Sequence, residues 1–131
     1  MSNITRKYIR ENKDTIFLFG DNMEKKGFGG QAKEMRAEPN SIGIPTKWKP
    51  SMEEKAFFTD DDFHLNQVKE RFMHTFLTIE GYLESGHNVV IPRNGIGTGL
   101  AQLEERAPLI FNMIQSTIKN LKKKYGVIEY V

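Results

Sequence analysis

Cysteine is missing from all 131 residues. Its absence excludes disulfides, thiolate zinc sites and cysteine nucleophiles together. A cytoplasmic setting fits, since disulfides are rare there. Long apolar runs are missing as well. None approaches the ~18–20 residues that a membrane helix needs. The opening Met1-Ser2-Asn3-Ile4-Thr5-Arg6-Lys7 has no apolar stretch behind its charges, so no signal peptide and no membrane partner are expected. Charge of one sign is scarce too: nineteen Lys and Arg against seventeen Asp and Glu leave +2. Lys119, Lys122, Lys123 and Lys124 account for more than that excess. They read as the end of one helix, where cations complement the dipole. A nucleic-acid surface would spread its charge along a face. His64, His74 and His87 are scattered, without the spacing of a helical metal pair. No Gly-x-Ser-x-Gly elbow and no clear Ser/His/Asp arrangement is present. Neither a metal nor a cofactor is expected.

What is present is a globular composition, 38% hydrophobic and 27% charged. At this length the expectation is one domain, residues 1–131, burying well over half of its unfolded surface. Ile16-Phe17-Leu18-Phe19, Ser41-Ile42-Gly43-Ile44, Val89-Val90-Ile91 and Val127-Ile128-Glu129-Tyr130-Val131 are short apolar runs bounded by Gly and Pro. They read as strands covered on both faces. Tyr8-Ile9 reads as the start of an edge strand. Val68, Phe72, Phe76, Ile79 and Leu83 share one helix face, and Ala107, Ile110, Phe111, Ile114, Ile118 and Leu121 share another. Asp60-Asp61-Asp62 is placed to cap the first of these helices and Gly86 to end it. Pro108 suits the first position of the second. Gln31 to Arg36 reads as a short helix. The six methionines read as core filler. Strands alternate with helices throughout, which predicts an α/β fold with a mainly parallel sheet covered by helices. Pro45 to Thr59 is the one long irregular stretch.

Ligands of open α/β sheets collect at the carboxyl ends of the strands. Two glycine-rich segments fall there. The first runs from Gly20-Asp21-Asn22 through Gly27-Phe28-Gly29-Gly30-Gln31-Ala32, and the second is Pro92-Arg93-Asn94-Gly95-Ile96-Gly97-Thr98-Gly99-Leu100. Glycine lets backbone amides approach a ligand closely, and successive amides favour phosphate or carboxylate. Neither segment is a Walker loop or a dinucleotide fingerprint. Asp21 and Asn22 can either meet ribose hydroxyls or close an Asx turn. Lys47, after Ile44-Pro45-Thr46, is a candidate anion contact or proton donor, or a solvated loop lysine.

Val89-Val90-Ile91-Pro92-Arg93-Asn94-Gly95-Ile96-Gly97-Thr98-Gly99-Leu100 resembles the last ligand loop of macrodomains, nearest the terminal ADP-ribose protein glycohydrolase branch. The first segment is similar to that family's Asn-bearing loop and Gly-rich turn. The likeness spans roughly residues 14 to 131 and suggests a minimal member of phage or bacterial type. It implies a three-layer α/β/α fold with a mainly parallel mixed sheet, and a site for ADP-ribose. By that resemblance Gly95 to Leu100, with Arg93 and Asn94 ahead of them, would cradle the diphosphate. Gly27, Gly29, Gly30 and Gln31 would approach the distal ribose and diphosphate, and Asn22 would meet a ribose. Lys47 resembles the branch's nucleophilic lysine. Where the branch has its catalytic aspartate this chain has Ala101, so the lysine–aspartate mechanism is not intact. Asp21 is the alternative carboxylate, since a general base needs reach and not a fixed sequence position. Three functions are open. One is binding of ADP-ribose, of a derived nucleotide or of an ADP-ribosylated macromolecule, with hydrolysis of an ADP-ribosyl linkage as its catalytic form. Another is a non-catalytic sequestering or sensor protein for nucleotide signals. The third is a nucleic-acid-binding module on Lys119 to Lys124.

Overall fold

The four apolar runs form four strands: β1 (Thr15–Asn22), β2 (Ser41–Lys47), β3 (Asn88–Ile91) and β4 (Ile128–Tyr130). They lie in one sheet in the order β2-β1-β3-β4. The computed structural model describes residues 4–130, so Val131, expected at the end of β4, lies outside the described residues. All three strand pairings are parallel, so the sheet is not mixed as expected. The connections explain this. Each carries a helix that returns the chain to the same end of the sheet, as a parallel neighbour requires.

The helices are α1 (Arg6–Glu11), α2 (Ala32–Met35), α3 (Asn66–Glu84), α4 (Leu103–Arg106) and α5 (Pro108–Tyr125). Side chains of a strand alternate between faces, and β1 divides the core accordingly. Ile16 and Leu18 join a large cluster with Val68, Phe72 and Ile79 of α3 and Ile110 and Ile114 of α5. Phe17 and Phe19 join a smaller one with Ile9 of α1 and Ala32 and Met35 of α2. The fold is therefore three layers, helices on both faces of a parallel sheet. No helix among the described residues is long and apolar enough to cross a membrane.

Three local expectations are corrected. Tyr8-Ile9 is helical, not strand, because Thr5 Oγ1 caps α1 by accepting from the amide of Tyr8 at 3.1 Å. Buried Ile9 then faces the sheet, and Glu38 holds the helix through ion pairs with Arg6 and Arg10. Hydrogen bonds from Arg10 and then Arg6 keep the Glu38 carboxyl below its usual pKa. Asp60 to Asp62 do not cap α3. Asp62 closes a capping box with Thr59 around the 3-10 turn Asp60–His64, and Asp60 Oδ1 accepts from the amide of Leu109 at 3.0 Å, capping α5. The stretch from Pro45 to Thr59 is partly regular. Pro45 to Lys47 extend β2, an edge strand that tolerates proline. A 3-10 turn (Glu54–Ala56) then leads to an antiparallel bridge between Phe57 and Lys47. Elsewhere Pro108 does open α5, and Gly86 does close α3 with its amide on Leu83 O at 3.0 Å.

Candidate functional site

The carboxyl ends of β1 and β2 and the loop after β3 open on one cavity of about 580 Å³, within the ~300–1,000 Å³ usual for small-molecule sites. Both glycine segments line it. The first contributes Gly20, Asp21, Asn22, Gly27, Gly29, Gly30 and Gln31; the second contributes Asn94, Gly97, Thr98, Gly99 and Leu100. Lys47 and Ala101 complete the meeting that the sequence could only suggest. Three expected ligand contacts are not in the walls. Ile96 is a fully buried member of the large core cluster, Arg93 is exposed to solvent, and half-buried Gly95 gives its carbonyl to Gln31. A branched apolar side chain between two glycines is more stable as a core plug than at a polar cavity, and that is what Ile96 does.

Gln31 joins the two loops. Its Oε1 accepts from the amide of Gly20 at 2.7 Å, and its Nε2 donates to Gly95 O at 3.0 Å, 64 residues away. Its carboxamide thus ties the two loops together and positions the site, with a second N–H and a second lone pair left over. Asn22 also bonds within its own loop. Its Nδ2 donates to Lys26 O at 2.8 Å and its Oδ1 accepts from the amide of Lys26 at 3.3 Å, which closes the turn after β1. The loop-closing alternative for Asn22 is the observed one.

Asp21 is buried and faces Arg36, a residue that no local pattern singled out. Arg36 Nη2 donates to Asp21 Oδ1 at 2.5 Å, and the amide of Asn22 donates to the same oxygen at 2.7 Å. Arg36 also donates from Nε to Gly27 O at 2.6 Å and from Nη2 to Lys26 O at 3.0 Å. One guanidinium therefore fixes the first glycine loop to the end of β1. Gly43 of β2 makes room for the pair: a Cβ there would lie 2.6 Å from Asp21 Oδ2.

Lys47 sits beyond a bulge between β1 and β2, where the register shifts after Asp21. Bulges of this kind redirect side chains. Thr46 Oγ1 donates to Asp21 O at 2.9 Å, and Lys47 O receives the amide of Met23 at 2.9 Å. Lys47 Nζ donates to Ser51 O and lies 4.5 Å from the centre of the Phe57 ring. The other cation on that ring is Arg106, at 3.9 Å. Burial, with the Arg106 charge added, holds the Lys47 ammonium below the ordinary lysine pKa.

Among the described residues, the amides of 27–31 and of 97–100 have no acceptor in the protein. Most of these residues are exposed and only Gly97 is buried, so the amides are open to water and free for a ligand to take. The helices that follow the loops, α2 and α4, have four residues each. The donors are thus individual loop amides and not the end of a long helix dipole. A second cavity of about 400 Å³ lies between α3 and α5, with Phe72, Met73, Phe76 and Met113 in its walls, remote from these loops. Lys122 and Lys124 end α5; Lys124 pairs with Glu80 at 3.3 Å and Lys122 stacks over Tyr130 at 5.5 Å.

The protein is thus of the class of parallel α/β proteins with a ligand-sized cavity at the carboxyl edge of the sheet. Residues 1–117 match a family of unknown function, DUF7831, and the chain belongs to that family. The match ends within α5, before Lys119. No curated protein and no solved structure matches the chain.

Proposed function

We propose that this protein binds ADP-ribose or an ADP-ribose-derived nucleotide in the cytoplasm, with the diphosphate on the amides of the two glycine loops, as in the macrodomains its sequence resembles. The observation that carries the reading is the convergence of both loops on one cavity, with amides that have no protein acceptor. A phosphate satisfies several such donors at once, and charge-assisted bonds of this kind are the strong ones. Lys47 adds a cation to the same wall.

Binding without turnover fits the side chains better than hydrolysis. Ala101 carries no acid or base, and the Asp21 carboxylate is held by Arg36 and the Asn22 amide. Sequestering or sensing a nucleotide signal is therefore the biological role we assign to the cavity. Thermal-shift measurements across linear and cyclic nucleotides test it. A ligand at ~100 times its Kd stabilises the native state by about 2.7 kcal/mol, so ADP-ribose or a cyclic relative should raise the melting temperature by several degrees. No shift with any of them at millimolar concentration contradicts the reading.

The catalytic form makes a separate demand on Lys47. As a nucleophile it must act as the neutral amine. Its lowered pKa means that the neutral form gains population below the ordinary lysine value of ~10.4. Any release of ADP-ribose from a glutamate-linked substrate would then rise with pH through that lowered pKa and vanish in Lys47→Ala. We expect no release from wild type; a Lys47-dependent alkaline limb would establish the enzyme instead.

A further inference from the structure

We propose that the mouth of the cavity is a subsite for a flat aromatic ring of the bound nucleotide, an inference that rests on the nucleotide reading above. Phe28, Met52 and Leu100 are 62%, 56% and 59% exposed, and among the described residues they are the exposed large apolar side chains that line this cavity. They come from three separate segments: the first glycine loop, the segment after β2 and the second glycine loop. Methionine was expected to fill the core, and Met52 does not. An apolar rim assembled from three loops around a polar cradle marks a binding surface.

The backbone brings the rim together. Gly27 packs so closely on Pro50 that a Cβ would lie 2.9 Å from Pro50 Cβ. Phe28 therefore follows a residue seated on the segment that carries Met52. Leu100 Cδ1 lies 3.9 Å from the point where a side chain on Gly29 would begin, so the two glycine loops touch at the rim. The two glycine loops that carry Phe28 and Leu100 also carry the free amides. Inorganic phosphate would use those amides and none of the apolar surface. A ligand with a phosphate and an aromatic ring uses both. A ring can lie against Phe28 with offset or edge-on geometry, and the Met52 thioether suits a ring edge. The ring is either the adenine of ADP-ribose or the second ring of a dinucleotide such as NAD; the chemistry of recognition is the same.

Calorimetry tests this with wild type, Phe28→Ala, Leu100→Ala and Phe28→Tyr against ADP-ribose and NAD, with pyrophosphate as the ring-free competitor. Stacking of one base on one aromatic side chain is worth about tenfold in affinity. Phe28→Ala should lose about that factor for a ring-bearing ligand, Leu100→Ala should lose less, and Phe28→Tyr should retain affinity. Pyrophosphate's own affinity, corrected for that of the ligand it displaces, should be the same for all four proteins. Equal losses for ADP-ribose and NAD place adenine at the mouth, and a loss for NAD alone places the second ring there. Unchanged affinity in both alanine variants, or a parallel loss of pyrophosphate, overturns the subsite alone. A folded wild type that binds neither ADP-ribose nor NAD overturns the nucleotide reading and the subsite with it.

Discussion

Replacing Gly97 by valine should abolish ligand binding and lower the melting temperature by roughly 10 °C, on a scale of about 4 °C per kcal/mol for a domain of this size. Two independent costs act at this position. Its φ is +86°, in the left-handed region that a β-branched residue adopts only under strain. Any side chain also meets Leu103, whose Cδ2 would lie 2.7 Å and whose Cβ would lie 3.0 Å from the new Cβ. Leu103 is buried at the head of α4 and accepts no shift cheaply, since the core is close-packed. Its amide also donates to Gly97 O at 3.0 Å, so backbone and side chain are tied to the same glycine. Together these cost on the order of 3 kcal/mol. The loop must open to relieve the clash, and the amides of 97–100 move with it. Thermal denaturation and calorimetry on the variant check both effects. Gly99→Ala is the comparison. A Cβ there meets nothing within 4 Å, so it should cost only the strain of its φ of +62°.

Arg36→Ala should destabilise the protein by about 3–5 kcal/mol, the usual cost of leaving one partner of a buried ion pair alone. The side chains of Arg36 and Asp21 are 12% and 8% exposed, so water does little to screen the orphaned carboxylate. The same change releases Lys26 O and Gly27 O from the guanidinium, and the first glycine loop loses its anchor. Affinity should therefore fall together with stability. Asp21→Asn in the Arg36→Ala background removes the uncompensated charge while its side-chain oxygen still accepts from the Asn22 amide. Denaturant unfolding should show the double variant recovering about half of the lost stability, with affinity still weak because the loop stays unanchored. Additive losses in that cycle would mean that the two residues do not act as a pair.

The fold was legible because its signals are local. The β1 run Ile16 to Phe19 and the stepped apolar faces of α3 and α5 declare themselves within a few turns of chain, and the parallel order follows from helices between strands. Tyr8-Ile9 misled because two apolar residues carry no period, and the information that decided them was the Thr5 cap. The two loops were legible as glycine clusters after strands, and Lys47 as a cation at a strand end. Their partners were not. Arg36 meets Asp21 across 15 residues, and Gln31 meets Gly95 across 64. No spacing rule marks a side chain whose role is to satisfy a distant backbone group. Ile96 was the one loop residue whose chemistry argued against its assignment, since an isoleucine between glycines has little to offer a diphosphate and much to offer a core. Asn22 had two readings in the sequence, and its bonds to Lys26 show that it closes the turn while still lining the cavity.

The central claim is that the amides of the two glycine loops hold the diphosphate of an ADP-ribose-like nucleotide. A ¹⁵N-resolved NMR titration of the labelled protein with ADP-ribose tests it most directly, because glycine amides fall in a distinct region of the spectrum. The account predicts saturable shifts at Gly27, Gly29, Gly30, Gly97 and Gly99, with Lys119 to Lys124 unmoved. Shifts confined to the lysines at the end of α5, or none in the glycine loops at saturating ligand, would contradict it.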